Sequence, residues 1–173
     1  MKLSRLLLPS VIFLALAGCN NATTNHQEAG VQLSNNGHWE EAITEFDEAI
    51  SANPGDSLAY YNRANAYRNL GEYRLAIQDY DEVLGLNPRD ALAYNSRADA
   101  YFNLSEYHLA IQDYDEALAI FPQLGEAYAG RARSYQFLGR DLEAQQDVDR
   151  AVEFGFDRLL LEAEIEEGRN QRQ

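Results

Sequence analysis

SLAYYNRANAYRNLGEYRLAIQDYDEVLGLNPRD, residues 57–90, is followed directly by ALAYNSRADAYFNLSEYHLAIQDYDEALAIFPQL, residues 91–124. The two stretches share one register, and that register continues on both sides. Pro54, Pro88 and Pro122 stand 34 residues apart, as do Ala42, Ala76, Ala110 and Ala144. Tyr60, Tyr94 and Tyr128 keep the same interval, and so do Tyr67, Tyr101 and Tyr135. A fixed period of this length marks an array of stacked units, each too small to bury its apolar face alone.

Units placed at 23–56, 57–90, 91–124 and 125–158, each numbered from position 1, align their small residues. Position 8 holds Gly30, Ala64, Ala98 and Ala132, position 20 the four alanines above, and position 27 Ala49, Val83, Ala117 and Ala151. Large residues fill the gaps: Leu33, Tyr67, Tyr101 and Tyr135 at position 11, and Phe46, Tyr80, Tyr114 and Val148 at position 24. Positions 4, 8, 11 and 15 share one side of a helix and are expected to form its buried stripe. Gly37, Gly71 and Gly139 should end the first helix of their units, with Ser105 a poorer substitute in the third. Each proline should stop the second helix together with the residue before it.

A 34-residue period with these small and aromatic positions resembles the tetratricopeptide repeat, two antiparallel helices per unit. The resemblance implies an all-α fold, a right-handed α-solenoid of about four helical hairpins plus a C-terminal capping helix. The fourth unit has Phe156 where a proline is expected, so Asp157 can cap a further helix, placed at 159–168. That helix carries Leu160, Leu161 and Ile165 on one side and is expected to cover the last hairpin, leaving 169–173 as a frayed tail. The first unit is the weakest match, with His26, Gly30 and Leu33 where the others have aromatics and alanine.

The front of the chain differs from the rest. Lys2 and Arg5 precede an almost continuously apolar run, Leu6 to Ala17, the layout of an export signal and too short to span a bilayer comfortably. The run ends in Leu16-Ala17-Gly18-Cys19, which resembles the lipobox of bacterial lipoproteins. This implies removal of residues 1–18, a lipid on Cys19, a short linker over 19–22, and an exported protein tethered to a membrane. Asn20, rather than aspartate, favours an outer-membrane address facing the periplasm in a Gram-negative host. Cys19 is the sole cysteine, so acylation leaves no thiol for a disulfide, a metal or a nucleophile.

The whole chain has 14 basic residues against 28 carboxylates, a formal charge of −14. Losing Lys2 and Arg5 would leave no lysine and a charge near −16. Such a surface repels nucleic acid and anionic headgroups, and it also keeps a helical protein soluble. No metal or other cofactor is expected: His26, His38 and His108 fall at unrelated repeat positions, with no i, i+4 pair among them. There is no glycine-rich phosphate loop and no Gly-x-Ser-x-Gly, so a catalytic role has no residues to rest on.

Two polar patterns stand out. Position 7 holds Arg63, Arg97 and Arg131, and position 23 holds Glu45, Asp79, Asp113 and Asp147. Each arginine is expected to fork between the acid of its own unit and that of the preceding one. In the repeat family, positions 2, 5, 9, 12 and 13 of the first helices line a concave groove. Here these positions supply Tyr61, Asn65, Arg68, Asn69, Asn95, Asp99, Phe102, Asn103, Arg133, Gln136 and Phe137. Amides, arginines and rings together suit an extended peptide of mixed polarity with at least one acidic residue, and Tyr61, Phe102 and Phe137 should form a discontinuous line of rings. The lysine clamp by which some family members hold a C-terminal carboxylate does not carry over, because Gln27 and Leu92 stand at its lysine positions. The expected partner is an unidentified protein or peptide. The alternative is a structural module that self-associates into a homo-oligomer through its weak first helix.

Overall fold

A computed structural model of the chain describes residues 25–171, so the expected export signal, Cys19 and the expected linker lie outside the described residues. The described chain is helical: α1 (25–35), α2 (Trp39–Ala52), α3 (Ser57–Asn69), α4 (Tyr73–Leu86), α5 (Ala91–Asn103), α6 (Tyr107–Ile120), α7 (Gly125–Phe137), α8 (Asp141–Glu153) and α9 (Arg158–Gln171). Helices α3 and α4, α5 and α6, and α7 and α8 close hairpins, each hairpin packs on the next, and α3, α5 and α7 touch in succession. The hairpins therefore stack into a solenoid whose first helices share one face.

Alanine makes this stacking possible. The fully buried alanines of the first helices sit at positions 3, 8 and 10: Ala59, Ala93 and Ala127; Ala64, Ala98 and Ala132; Ala66 and Ala100, with Ser134 in their place in the last. The expected stripe is thus corrected. Position 8 is buried, but the tyrosines at positions 4 and 11 are only half-buried and position 15 is exposed. A tyrosine can pack its ring and keep its hydroxyl wet, so it tolerates a margin, whereas helix crossings need side chains no larger than a methyl group. The second helices bury Ala42, Ala76 and Ala110 at position 20 and Phe46, Tyr80 and Tyr114 at position 24. Gly130 is one point where even alanine is too large, since a Cβ there would lie 2.4 Å from the Tyr114 side chain.

The turns follow local chemistry. His38, Glu72, Glu106 and Arg140 each donate their N–H to the carbonyl five residues back, at 2.9 Å in all four hairpins. That closure requires a left-handed residue in between, which Gly37, Gly71 and Gly139 adopt freely. Ser105 adopts it at φ +61°, the strained member of the set. Ser105→Gly should therefore raise stability by about 0.5–1 kcal/mol, read as a higher melting temperature. Asp56 and Asp90 each accept two backbone N–H groups at the starts of α3 and α5, while buried Leu124 replaces them before α7.

Each position-7 arginine forks as expected, with one partner corrected. Arg63, Arg97 and Arg131 donate to Asp79, Asp113 and Asp147 of their own hairpins at 2.7–2.8 Å. The second acid is Asp47, Asp81 or Asp115, at position 25 of the preceding unit and not at position 23. Two residues turn a helix through roughly 200°, so position 23 faces its own hairpin and position 25 faces the next. Glu45, whose unit has no such arginine, faces His26 at 2.7 Å instead. Each guanidinium also lies over the tyrosines at positions 4 and 11 of its own helix, at 5.5–6.0 Å from the ring centres.

The capping helix is longer than expected. Asp157 Oδ1 accepts from Leu160 N–H at 3.0 Å, and α9 then runs through Gln171, so Arg169 and Asn170 belong to it and not to a tail. Leu161 and Ile165 are buried, and Arg158 reaches Asp149 at 2.8 Å, which carries the arginine ladder one step further. The cap lies chiefly against α7 and less on α8. It therefore shields the groove side of the last hairpin.

Candidate functional site

The face formed by α3, α5 and α7 brings the candidate residues into one row, but not as a uniform lining. At its start, Tyr61 packs edge-on to Tyr80 with ring centres 5.8 Å apart, and its hydroxyl meets Ser96 Oγ at 3.1 Å. Tyr61 thus belongs largely to the scaffold. Tyr80 donates to Asn65 Oδ1 at 2.7 Å, and Asn69 caps the Asn65 carbonyl at 2.7 Å. One repeat on, Tyr114 donates to Asp99 Oδ1 at 2.6 Å and Asn103 caps the Asp99 carbonyl at 2.8 Å. Burial raises the Tyr80 and Tyr114 hydroxyls above the ordinary phenol range, and for Tyr114 the neighbouring Asp99 adds to the rise. Both therefore stay protonated and keep donating.

Both groove arginines already face carboxylates. Arg68 lies 3.2 Å from Asp99 Oδ2, and Arg133 lies 3.6 Å from Glu164 on the capping helix while its guanidinium covers the Phe102 ring at 5.6 Å. Each therefore has a carboxylate of its own chain nearby, although Arg133 Nε is buried without a hydrogen-bond partner among the described residues. Gln136 is 1 % exposed, so a partner cannot reach it directly. Asn95 is also buried.

Phe102 and Phe137 meet, with ring centres 5.5 Å apart, whereas Tyr61 is engaged with Tyr80 farther along; the expected line of three rings is a pair plus a scaffold tyrosine. Tyr107, from the start of α6, completes the pair: it stacks on Phe137 at 4.8 Å and meets Phe102 edge-on at 5.5 Å. A recess of about 320 Å³ opens beside these rings, bordered by Arg133 and by Glu164, Ile165 and Gly168 of α9. Gly168 permits the close approach, since a Cβ there would lie 3.1 Å from the Phe137 ring. A second recess, about 280 Å³, lies between Asn95, Asp99, Glu126, Ala129, Arg133 and Phe156.

Tyr107, Phe156, Glu164 and Gly168 were not among the sequence candidates. Glu126 and Ala129 occupy positions 2 and 5, so the groove rule could have found them; the others come from elements the rule does not cover. Among the described residues no group of three or more His, Cys, Asp or Glu side chains could hold a metal, and no helix is long and apolar enough to cross a membrane.

A stack of hairpins with one continuous, partly polar face defines a repeat scaffold for contacts between proteins. Three tetratricopeptide repeat profiles match residues 28–73, 57–90 and 89–155, and the chain belongs to that family. Among solved structures, MamA is similar at 24% identity and TM-score 0.74, over 81% of this chain and 82% of MamA. The first TPR of Spaghetti (RPAP3), bound to the HSP90 peptide SRMEEVD, shares 28% identity at TM-score 0.67, over 69% of this chain and 94% of that domain. The Arabidopsis OM64 TPR domain shares 27% identity at TM-score 0.66, over 68% of this chain and 98% of that domain. No curated protein matches the chain.

Proposed function

We propose that the protein is a lipid-anchored adaptor of the bacterial cell envelope that holds an extended segment of another protein along α3, α5 and α7. The observation that carries this reading is the ring pair. Phe102 and Phe137 lie off the buried stripe, remain partly exposed, and border a recess with Arg133 above them. Closing a hairpin does not need a ring at either position, whereas a partner side chain does need such a surface. The exposed amides of Asn69 and Asn103 lie on the same face and suit a backbone running past them. The Leu16-Ala17-Gly18-Cys19 stretch supports the tether and the exported address.

Once an envelope partner is captured, Phe102→Ala and Phe137→Ala should each weaken it about tenfold or more, with helical content intact. Glu40→Ala, on the exposed side of α2, should leave binding unchanged. Tyr61→Ala is a poor test because it also removes packing from Tyr80. Binding that survives loss of both rings but fails on changes in α2 would move the partner to the other side of the stack. Self-association is the second reading, favoured by a recess of about 410 Å³ where α1 and α3 leave Val31 and Leu58 exposed. Light scattering in detergent decides between a monomer and a homo-oligomer.

A further inference from the structure

We infer that the bound segment presents a basic side chain, lysine or arginine, to the recess between α5, α7 and the turn before α9; this rests on the groove reading above. The inference begins with a mismatch between successive repeats. Between α3 and α5 the polar groups answer one another within the chain, Tyr61 at position 5 meeting Ser96 at position 6 of the next unit. Between α5 and α7 the same two positions hold Asn95 and Gly130. Gly130 has no side chain to answer with, and Tyr114 leaves no room for one.

Asn95 is consequently 5 % exposed with an Oδ1 that has no hydrogen-bond partner among the described residues. A buried amide oxygen without a donor is costly, and such an atom in a native protein calls for an explanation. It lines the recess of about 280 Å³ together with Asp99, Glu126, Ala129, Arg133 and Phe156. Arg68 is balanced by Asp99 and Arg133 by Glu164. Glu126, exposed on the same recess, is in no ion pair among the described residues, so the recess has a carboxylate to spare. A lysine or arginine tip would donate to Asn95 Oδ1, face Glu126, and lay its stem or its charge against the Phe156 ring. An acidic tip would meet the acceptors Asn95 Oδ1, Asp99 and Glu126, with Arg133 as its one cation, whose guanidinium already faces Glu164 and whose Nε alone lacks a partner. The formal charge of −14 favours the basic choice from a distance.

The test uses random dodecapeptides displayed on phage, selected on the full chain in detergent, with binders remeasured as synthetic peptides by fluorescence anisotropy. Lysine or arginine should be enriched at one position, and replacing it with norleucine or glutamate should weaken binding about fivefold or more. Glu126→Gln and Asn95→Leu should cause the same loss without lowering the melting temperature, and norleucine peptides should be indifferent to Glu126→Gln. Peptides that depend on Phe102 but carry no basic residue, or ignore Glu126→Gln, overturn the basic anchor and leave the groove standing. A selection in which nothing depends on Phe102 overturns the groove, and this inference with it.

Discussion

Arg97→Met is expected to lower the melting temperature by roughly 6–12 °C, equivalent to about 3 kcal/mol in a chain of this size. Arg97 and Asp113 are 18 % and 6 % exposed, and the guanidinium also holds Asp81 and lies over Tyr94 and Tyr101. Burial is the largest influence on Arg97 and works against its charge, but the hydrogen bonds and charges of Asp113 and Asp81 outweigh it and raise its pKa. For Asp113 the balance runs the other way: burial raises the carboxyl above its usual range despite the pull of Arg97. Removing the cation leaves a buried carboxylate unpaired, and a methionine stem cannot hydrogen-bond it.

The pH dependence has a definite sign. Without Arg97 the Asp113 pKa rises further, so the folded state binds its proton more tightly than the unfolded chain does. The penalty is then full at neutral pH, shrinks as pH falls through the raised pKa, and vanishes below the ordinary carboxylate range. Circular dichroism melts at neutral and acid pH read this directly. A deficit that is the same at both, or that grows on acidification, would remove Asp113 as its source.

Cys19→Ser should move essentially all of the protein from the membrane fraction to the soluble fraction, if the proposed anchor is correct. Among the described residues no helix is long and apolar enough to cross a bilayer, and an acidic surface is repelled by anionic headgroups. Acyl chains contribute about 0.8 kcal/mol per buried methylene, which makes attachment all-or-none in practice once two chains are involved. Intact mass of the wild-type chain should show loss of residues 1–18 and the added lipid. An unchanged membrane fraction in the serine variant would falsify the anchor.

Much of the architecture is a property of the sequence alone. Alanines and tyrosines recurring at one 34-residue interval, with prolines closing the first three units, specify helical hairpins because every unit solves the same packing problem with nearly the same residues. The turns at Gly37, Gly71 and Gly139 and the cap at Asp157 are equally local, since each depends on φ or on one side-chain oxygen within a few residues. The proposed anchor at Cys19 likewise rests on residue order alone.

The site was only partly legible. Its face follows from helical spacing, but which members meet does not. Phe102 and Phe137 touch each other and Tyr107, while Tyr61, on the same face by the same rule, is claimed by Tyr80 and Ser96. Gln136 occupies a groove position and is nevertheless buried, because α9 lies against α7. Asn95 loses its partner only because the residue across the interface is Gly130, and Gly130 is dictated by Tyr114 from a third helix. Repeat spacing places residues on faces, since that is a matter of rotation about one helix axis. Contacts across hairpins depend on how side chains from three helices share one volume, and that was decided only when the hairpins packed.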